Sequence, residues 1–194
     1  MTLIELKRTI TAALHECQII VEEQPIVVLS EADLERLLSW CIMKHLGQGN
    51  YQKPSPNDYQ GHTQVSHYEE GQIKPNRRPD ILLITENGME DASKRKEFEY
   101  HGSSFTLELK YLHYNESVER VDEDFNKRKD LYKKTWLYVV VLIELDDERL
   151  FPTKKKEIIQ KKHKFIRENP EYKNKLFCFS LKKKKVRFSI RQDM

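Results

Sequence analysis

The chain has 194 residues, which suits one domain with a full hydrophobic core, or one domain with a small appendage. Its three cysteines, Cys17, Cys41 and Cys178, lie far apart without a CxxC or Cys/His zinc spacing, which favours free thiols in a reducing, intracellular compartment. No basic start followed by an apolar run marks a signal peptide, and the longest apolar run, 136–143, is too short to span a bilayer, so we expect a cytoplasmic protein without a membrane partner.

The charges are divided unevenly along the chain. Residues 151–194 contain 15 Lys and Arg against 4 Asp and Glu, whereas residues 1–150 contain 19 against 27. The formal net charge of +3 therefore combines an acidic body with a basic end. Such a division is typical of proteins in which one face meets phosphate, although Lys-rich ends are also common as solubilising surface.

Two helices are predicted in the first part of the chain. Residues 3–23 place apolar side chains at helical spacing on one face, and Pro25 ends that segment. Ser30 is a suitable N-cap for a second helix, with Asp33 as a capping partner, and Gly47 ends this helix. The predicted buried face of the second helix consists of Leu34, Leu37, Leu38, Cys41 and Ile42.

The middle of the chain predicts strands separated by polar segments. Residues 47–63 are rich in Gly, Pro, Asn and Gln and predict a loop, and a short strand is predicted within 65–69. Residues 78–84 predict a strand covered on both faces, because four apolar residues follow one another from Ile81 to Ile84. Segment 71–76 is predicted to be a turn. Segment 89–102 is predicted to be either an insertion or an added hairpin.

A βαβ arrangement is predicted next. Residues 105–111 alternate between apolar and polar side chains, as in a strand, and 117–134 have the period of a helix. Trp136 to Glu144 is a strongly apolar strand, so the connection is expected to be a right-handed crossover. A long helix ending before Pro170 and a hairpin formed by 176–181 and 186–190, with its turn at Lys182 to Lys185, complete an α/β fold.

Three side chains on the predicted sheet can act together on a phosphodiester. Asp80 begins one strand, while Glu108 and Lys110 are two apart on another and project from the same face. If the two strands pair as a hairpin, all three converge. Two carboxylates and a backbone carbonyl suit Mg²⁺, and a neighbouring lysine can orient or deprotonate water and stabilise charge on the phosphate. No Gly-rich phosphate loop, GxSxG or HExxH motif offers a competing chemistry.

Pro79-Asp80 followed by Glu108-Leu109-Lys110 resembles the signature of the PD-(D/E)xK nuclease superfamily, the restriction-endonuclease-like enzymes. The family core has the order αβββαβ, and the predicted elements from Ser30 to Glu144, about 115 residues, follow that order. The gap of 27 residues between the two halves of the motif is accommodated by an insertion at 85–103. The resemblance implies a mixed central sheet flanked by helices.

The resemblance also implies roles for particular residues. Asp80, Glu108 and the carbonyl of Leu109 would bind Mg²⁺ or Mn²⁺, and Lys110 would act on the water and the phosphate. The family often has a further glutamate on the first core helix, and Glu31 lies closer to the buried face of that helix than Glu35 does. The implied domain has a nuclease core with its N-terminal helix at 1–150 and a basic helix and hairpin at 151–194 packed on the same domain.

The function implied is a metal-dependent endonuclease acting on DNA in restriction, defence, repair or mobile-element biology. A catalytically silent nucleic-acid-binding module of the same fold and an RNA-processing nuclease are the alternatives. A homodimer fits a duplex that is cut on both strands, and a larger nuclease complex is the other expected assembly. Asp124, Lys127 and Arg128, on the helix after the motif, are expected on a solvated face, with contact between one of them and the site as the alternative. Candidate phosphate contacts, with ordinary charged surface as the alternative, are Arg77, Arg78, Lys182, Lys183, Lys184 and Lys185.

Overall fold

The protein is a mixed α/β structure with a five-stranded mixed sheet and, in the part of the chain that the structure describes, four α-helices. The computed structural model describes residues 2–47, 59–63, 67–69, 79–85, 89–92, 97–100, 104–127 and 135–186. The helices are α1 (Leu3–Glu23), α2 (Glu31–His45), α3 (Val121–Lys127) and α4 (Phe151–Glu168). The strands are β1 (Tyr59–Thr63), β2 (His67–Glu69), β3 (Ile81–Thr85), β4 (Met89–Ala92), β5 (Glu97–Tyr100), β6 (Ser104–Leu112), β7 (Thr135–Leu145) and β8 (Leu176–Lys184).

The strands that the structure describes form two sheets. The main sheet has the order β1-β3-β6-β7-β8, with β1, β3 and β6 antiparallel and with β6, β7 and β8 parallel. A small sheet has the order β2-β5-β4, in which the antiparallel β4 and β5 form the hairpin that was one of the two alternatives for 89–102. The parallel pairing of β6 with β7 agrees with the predicted βαβ unit.

Helices cover both faces of the main sheet. One apolar core lies between the sheet and α1 with α2, and it includes Ile81, Leu83, Leu107, Leu109 and Tyr111. A second core lies between the opposite face and α3 with α4, and it includes Val121, Phe125, Val139, Ile158 and Phe165. All nine residues of β6 are buried. Helices cover both of its faces, β7 pairs along its whole length, and β3 pairs with residues 105–107 on the other side. This α/β/α layering places the polar residues of β6 inside the protein.

The predicted limits of the first two helices are confirmed. The chain leaves α1 through a short 3-10 turn that begins at Pro25. The side chain of Ser30 caps α2 by accepting a hydrogen bond from the amide of Asp33. Gly47 follows α2 with a φ of 75°, a left-handed conformation that glycine adopts without strain. Among the helices that the structure describes, none is both long enough and apolar enough to cross a membrane.

The loop predicted for 47–63 is wrong at its end, because Tyr59–Thr63 forms the edge strand β1. This segment has no apolar alternation, and it becomes a strand because its backbone pairs with β3. The predicted turn at 71–76 and the candidate contacts Arg77 and Arg78 lie outside the described residues.

The turn predicted at Lys182 to Lys185 is also wrong in most of its length. Lys182, Lys183 and Lys184 continue β8 and pair with Ile143, Glu144 and Leu145 of β7. The side-chain amide of Gln18, from α1, also bonds the backbone of β8: it accepts from the N–H of Lys182 and donates to the carbonyl of Lys182. The second strand of the predicted hairpin lies, from residue 187 onward, outside the described residues.

Candidate active site at the end of the central strands

Asp80, Glu108 and Lys110 lie on neighbouring strands of the main sheet. Ile81 is the Cα partner of Leu107 in the antiparallel pairing of β3 with β6, so Asp80, which precedes β3, lies beside Glu108. Leu107 belongs to the core under α1 and α2, and side chains alternate along a strand, so Glu108 and Lys110 face α3 on the opposite side. Both are buried, with 3% and 6% of their surfaces exposed. Burial of charged groups in this way requires compensating partners.

The strand β6 continues beyond the start of β3, and two carboxylates occupy the vacated side. Asp80 Oδ2 accepts a hydrogen bond from the amide of Leu109 at 2.7 Å. Glu31 Oε2, from α2, accepts one from the amide of Tyr111 at 3.2 Å. The N–H and C=O of one strand residue point to the same side, so the carbonyl of Leu109 also faces this edge. Carboxylate and carbonyl oxygens are therefore concentrated at one position.

The amine of Lys110 lies between carboxylates from helices on both faces of the sheet. Lys110 Nζ is 3.5 Å from Asp124 Oδ2 of α3 and 3.7 Å from Glu31 Oε2 of α2. The Asp124 side chain is 1% exposed and that of Glu31 is 45% exposed. The expectation that Asp124 lies on a solvated helix face is wrong, because α3 packs this residue against β6, where the ammonium group balances its charge.

Glu31 occupies the first turn of α2, where the helix dipole favours a carboxylate. Its contacts with Lys110 and with the Tyr111 amide place it at the same edge as Asp80. Glu35 lies one turn further along α2 and is half-buried. Glu31 is the more exposed of the two, contrary to the sequence-based reason for preferring it, and the choice between them for a role at a metal stays a prediction.

The donor atoms suit a hard cation held partly by water. Within the part of the chain that the structure describes, no group of three or more His, Cys, Asp and Glu side chains is arranged to hold a metal ion. The predicted ligands include only two such side chains, Asp80 and Glu108, together with the Leu109 carbonyl. Mg²⁺ is commonly held by one or two carboxylates, with waters and substrate phosphates in its other positions. The residues therefore fit an open Mg²⁺ site and do not fit a closed protein cage.

A second polar cluster, which the sequence interpretation missed, lies near the carboxyl ends of the parallel strands. Lys183 Nζ is 2.7 Å from the hydroxyl of Tyr111 and 3.5 Å from Glu144 Oε1, and His113 Nδ1 is 3.3 Å from Glu144 Oε2. Burial lowers the pKa of Lys183, an effect that Glu144 opposes, and burial raises the pKa of Tyr111. An acidic residue within an apolar strand was the signal for this cluster, but its lysine partner is defined only by the register of β7 and β8.

The four lysines from Lys182 to Lys185, which were predicted to contact phosphate together, lie in different surroundings. The Lys183 side chain is fully buried, which contradicts its assignment to a solvated run of charges. Lys182 pairs with Glu22 at 3.0 Å, and Lys185 lies 3.3 Å from Asp146 Oδ1 and over the ring of Tyr114. Lys184 is exposed and forms no ion pair with the described residues. Of the four lysines, only Lys184 presents an unengaged charge to solvent in the described part of the chain.

No protein-family model, curated protein or solved structure matches this chain significantly.

Proposed function

We propose that this protein is a divalent-metal-dependent endonuclease of the PD-(D/E)xK type that acts on DNA. The proposal is supported by the register of β3 and β6, which brings Asp80 beside Glu108, and by the burial of Glu108 and Lys110 on one face of β6. The chain order α2, β1, β3, β6, α3, β7 around this point supports the restriction-endonuclease-like core, because it is the αβββαβ order of that superfamily.

In this proposal, Asp80, Glu108 and the carbonyl of Leu109 hold Mg²⁺ or Mn²⁺. The bound metal would supply a water with a lowered pKa and would polarise the phosphate. Lys110 presents its ammonium group next to these ligands, where it can orient the attacking water and stabilise the charge that develops on the phosphate. Glu31, which is 45% exposed, can contact water at the same edge.

The two activities of binding and cleavage are separated by a pair of variants. Supercoiled plasmid, linear duplex and single-stranded DNA are incubated with Mg²⁺, Mn²⁺ or a chelator, and binding is measured in Ca²⁺, which has similar oxygen coordination. We expect Lys110→Ala to abolish cleavage while leaving DNA binding in Ca²⁺ within about twofold, because its role is in the transition state. Asp80→Ala should abolish cleavage through loss of the metal.

Lys161→Ala controls for the loss of a lysine that pairs with an aspartate of α3. Urea unfolding must show that both variants are folded under the assay conditions, because the Lys110 pair is buried and the Lys161 pair is partly exposed. Lys161 also pairs with an aspartate of α3, Asp122, at 2.5 Å, but it lies on α4 and outside the proposed site. This control should cleave at the wild-type rate. Cleavage by Lys110→Ala at the wild-type rate would show that the motif match is a coincidence.

The second candidate function is a nucleic-acid-binding module without catalytic activity. The observation that favours it is that the described residues contain no group of three or more metal-ligating side chains. If the wild-type protein binds DNA but cuts neither DNA nor RNA with any of the metals, this second function replaces the nuclease. Cleavage of RNA alone would keep the chemistry and change the substrate.

A further inference from the structure

Helix α4 has a basic face that no part of the proposed site uses. The helix contains seven Lys and Arg against two Glu. Ile158 and Phe165 bury one side of α4 in the second core. At about 100° per residue, the opposite side is a row of exposed polar residues. We call this row the α4 stripe; it consists of Lys156, Gln160, His163, Lys164 and Arg167.

The cations of the α4 stripe differ from two other lysines of α4 in having no ion-pair partner among the described residues. Lys154, at the start of α4, donates to the carbonyl of Glu116, and Lys161 pairs with Asp122. The stripe's Lys156, Lys164 and Arg167, in contrast, form no ion pair with any residue that the structure describes. Their charge is therefore available to a ligand.

Helix stability does not account for the distribution of these charges. Lys154, Lys155 and Lys156 follow one another at the start of α4, and the first turn has no acidic residue. Cations at this end of a helix oppose the macrodipole, which favours anions there. A local arrangement that costs stability is expected where charge serves a function.

The α4 stripe begins at the end of the sheet where the candidate site lies. The chain enters α4 shortly after the carboxyl end of β7, which runs parallel to β6. The contact of Lys154 with Glu116, which follows β6, brings the start of α4 to the same end of the sheet as Lys110. From Lys156 to Arg167 the stripe extends about 16 Å at 1.5 Å per residue. That length spans roughly five phosphates of one strand, at one phosphate per 3.4 Å of duplex axis.

We propose that the α4 stripe binds the phosphate backbone of duplex DNA and leads the duplex toward the candidate site. The choice of DNA rests on the proposed function. An anionic membrane fits less well, because membrane-surface helices insert an apolar face and that of α4 is already covered by the sheet. The acidic body of the chain further restricts phosphate contact to its basic regions.

The test compares the full-length wild type with Lys156→Gln/Lys164→Gln/Arg167→Gln. A control variant, Lys44→Gln/Arg36→Gln/Arg149→Gln, removes the same net charge from cations that are already paired with Glu16, Asp33 and Asp147. Binding of a labelled duplex is measured by fluorescence anisotropy in Ca²⁺ over a series of salt concentrations. Vesicles containing phosphatidylserine serve as the membrane probe.

We expect the stripe variant to bind the duplex at least about tenfold more weakly, with a salt slope smaller by roughly 0.9 for each lost contact. The control should remain within about twofold of wild type. Equal losses in both variants, no duplex binding by wild type, or tighter binding to the vesicles than to the duplex would each overturn the proposal. Cleavage assays in Mg²⁺ distinguish the failure of one proposal from the failure of the other. If the wild type cuts DNA and the stripe variant binds and cuts equally well, only the proposal for the α4 stripe is refuted. If the wild type binds DNA through the α4 stripe but does not cut it, only the proposed nuclease activity is refuted.

Discussion

Asp124→Asn tests whether the buried pair at the site is the counter-charge that Lys110 requires. The two groups are 3.5 Å apart, and their side chains are 1% and 7% exposed. At an effective dielectric constant of about 20, two unit charges at this separation attract by about 5 kcal/mol. The substitution leaves the Lys110 ammonium with Glu31, which is 45% exposed and therefore contributes less. We expect a loss of about 3–5 kcal/mol in the free energy of unfolding, as for other broken buried pairs.

A double-mutant cycle isolates the pair from the packing of each residue. Lys110→Met alone removes the ammonium group that lies 3.5 Å from the buried Asp124 carboxylate and should destabilise by a similar amount. The double variant removes both charges, and replacement of a whole buried pair is often neutral or stabilising. Urea unfolding of the four proteins near pH 7 should therefore show the double variant to be no less stable than either single variant, which corresponds to a coupling energy of at least about 3 kcal/mol.

The ion pair between Lys161 of α4 and Asp122 of α3 provides the control for this double-mutant cycle, because its acidic residue lies on the same helix as Asp124. Its side chains are 21% and 45% exposed, so solvent screens the pair. Its coupling energy should be about 1 kcal/mol or less. If the site cycle gives no larger coupling than this control, Lys110 and Asp124 do not form a buried pair in solution, and the reasoning from burial fails.

Four further outcomes are expected. Burial lowers the pKa of His62. Below about pH 6.5 the unfolded chain therefore binds more protons than the folded one, and the folded state loses stability as the pH falls. His62→Gln should reduce the difference between the urea midpoints at about pH 7.5 and pH 5.5, and an unchanged difference would exclude His62 as a cause. Burial also lowers the pKa of Lys183, so the stability of wild type relative to Lys183→Met should rise as the pH increases toward 10.5. Urea unfolding of both proteins at several alkaline pH values checks this, and a stability difference that does not change with pH would contradict it. Burial raises the pKa of Cys178 to about 12, so a thiol reagent at about pH 8 should modify it far more slowly in the native than in the unfolded chain, and mass spectrometry showing equal rates would refute this. Glu31→Gln should lower Mg²⁺-dependent cleavage at least about tenfold and Glu35→Gln should not; equal activities would remove Glu31 from the site.

Local sequence patterns were sufficient to predict the limits of α1 and α2 and the face of β6 that the motif residues occupy. The capping residue Ser30 and the left-handed Gly47 bracket α2 because both act within one turn of the chain. The four apolar residues from Ile81 to Ile84 predicted a strand covered on both faces, and all four are buried. The spacing of two between Glu108 and Lys110 placed them on one face, since side chains alternate along any strand.

Tertiary structure decided every feature that depends on a distant partner. The sequence of β1 has no apolar alternation, and β1 exists because β3 supplies its hydrogen bonds. Asp124 became a buried partner of Lys110 only when α3 packed on β6, and Lys183 became buried only in the register of β8 beside β7. Periodicity reports which residues share a face, whereas pairing and burial depend on segments far along the chain, so the motif was visible in the sequence and its counter-charges were not.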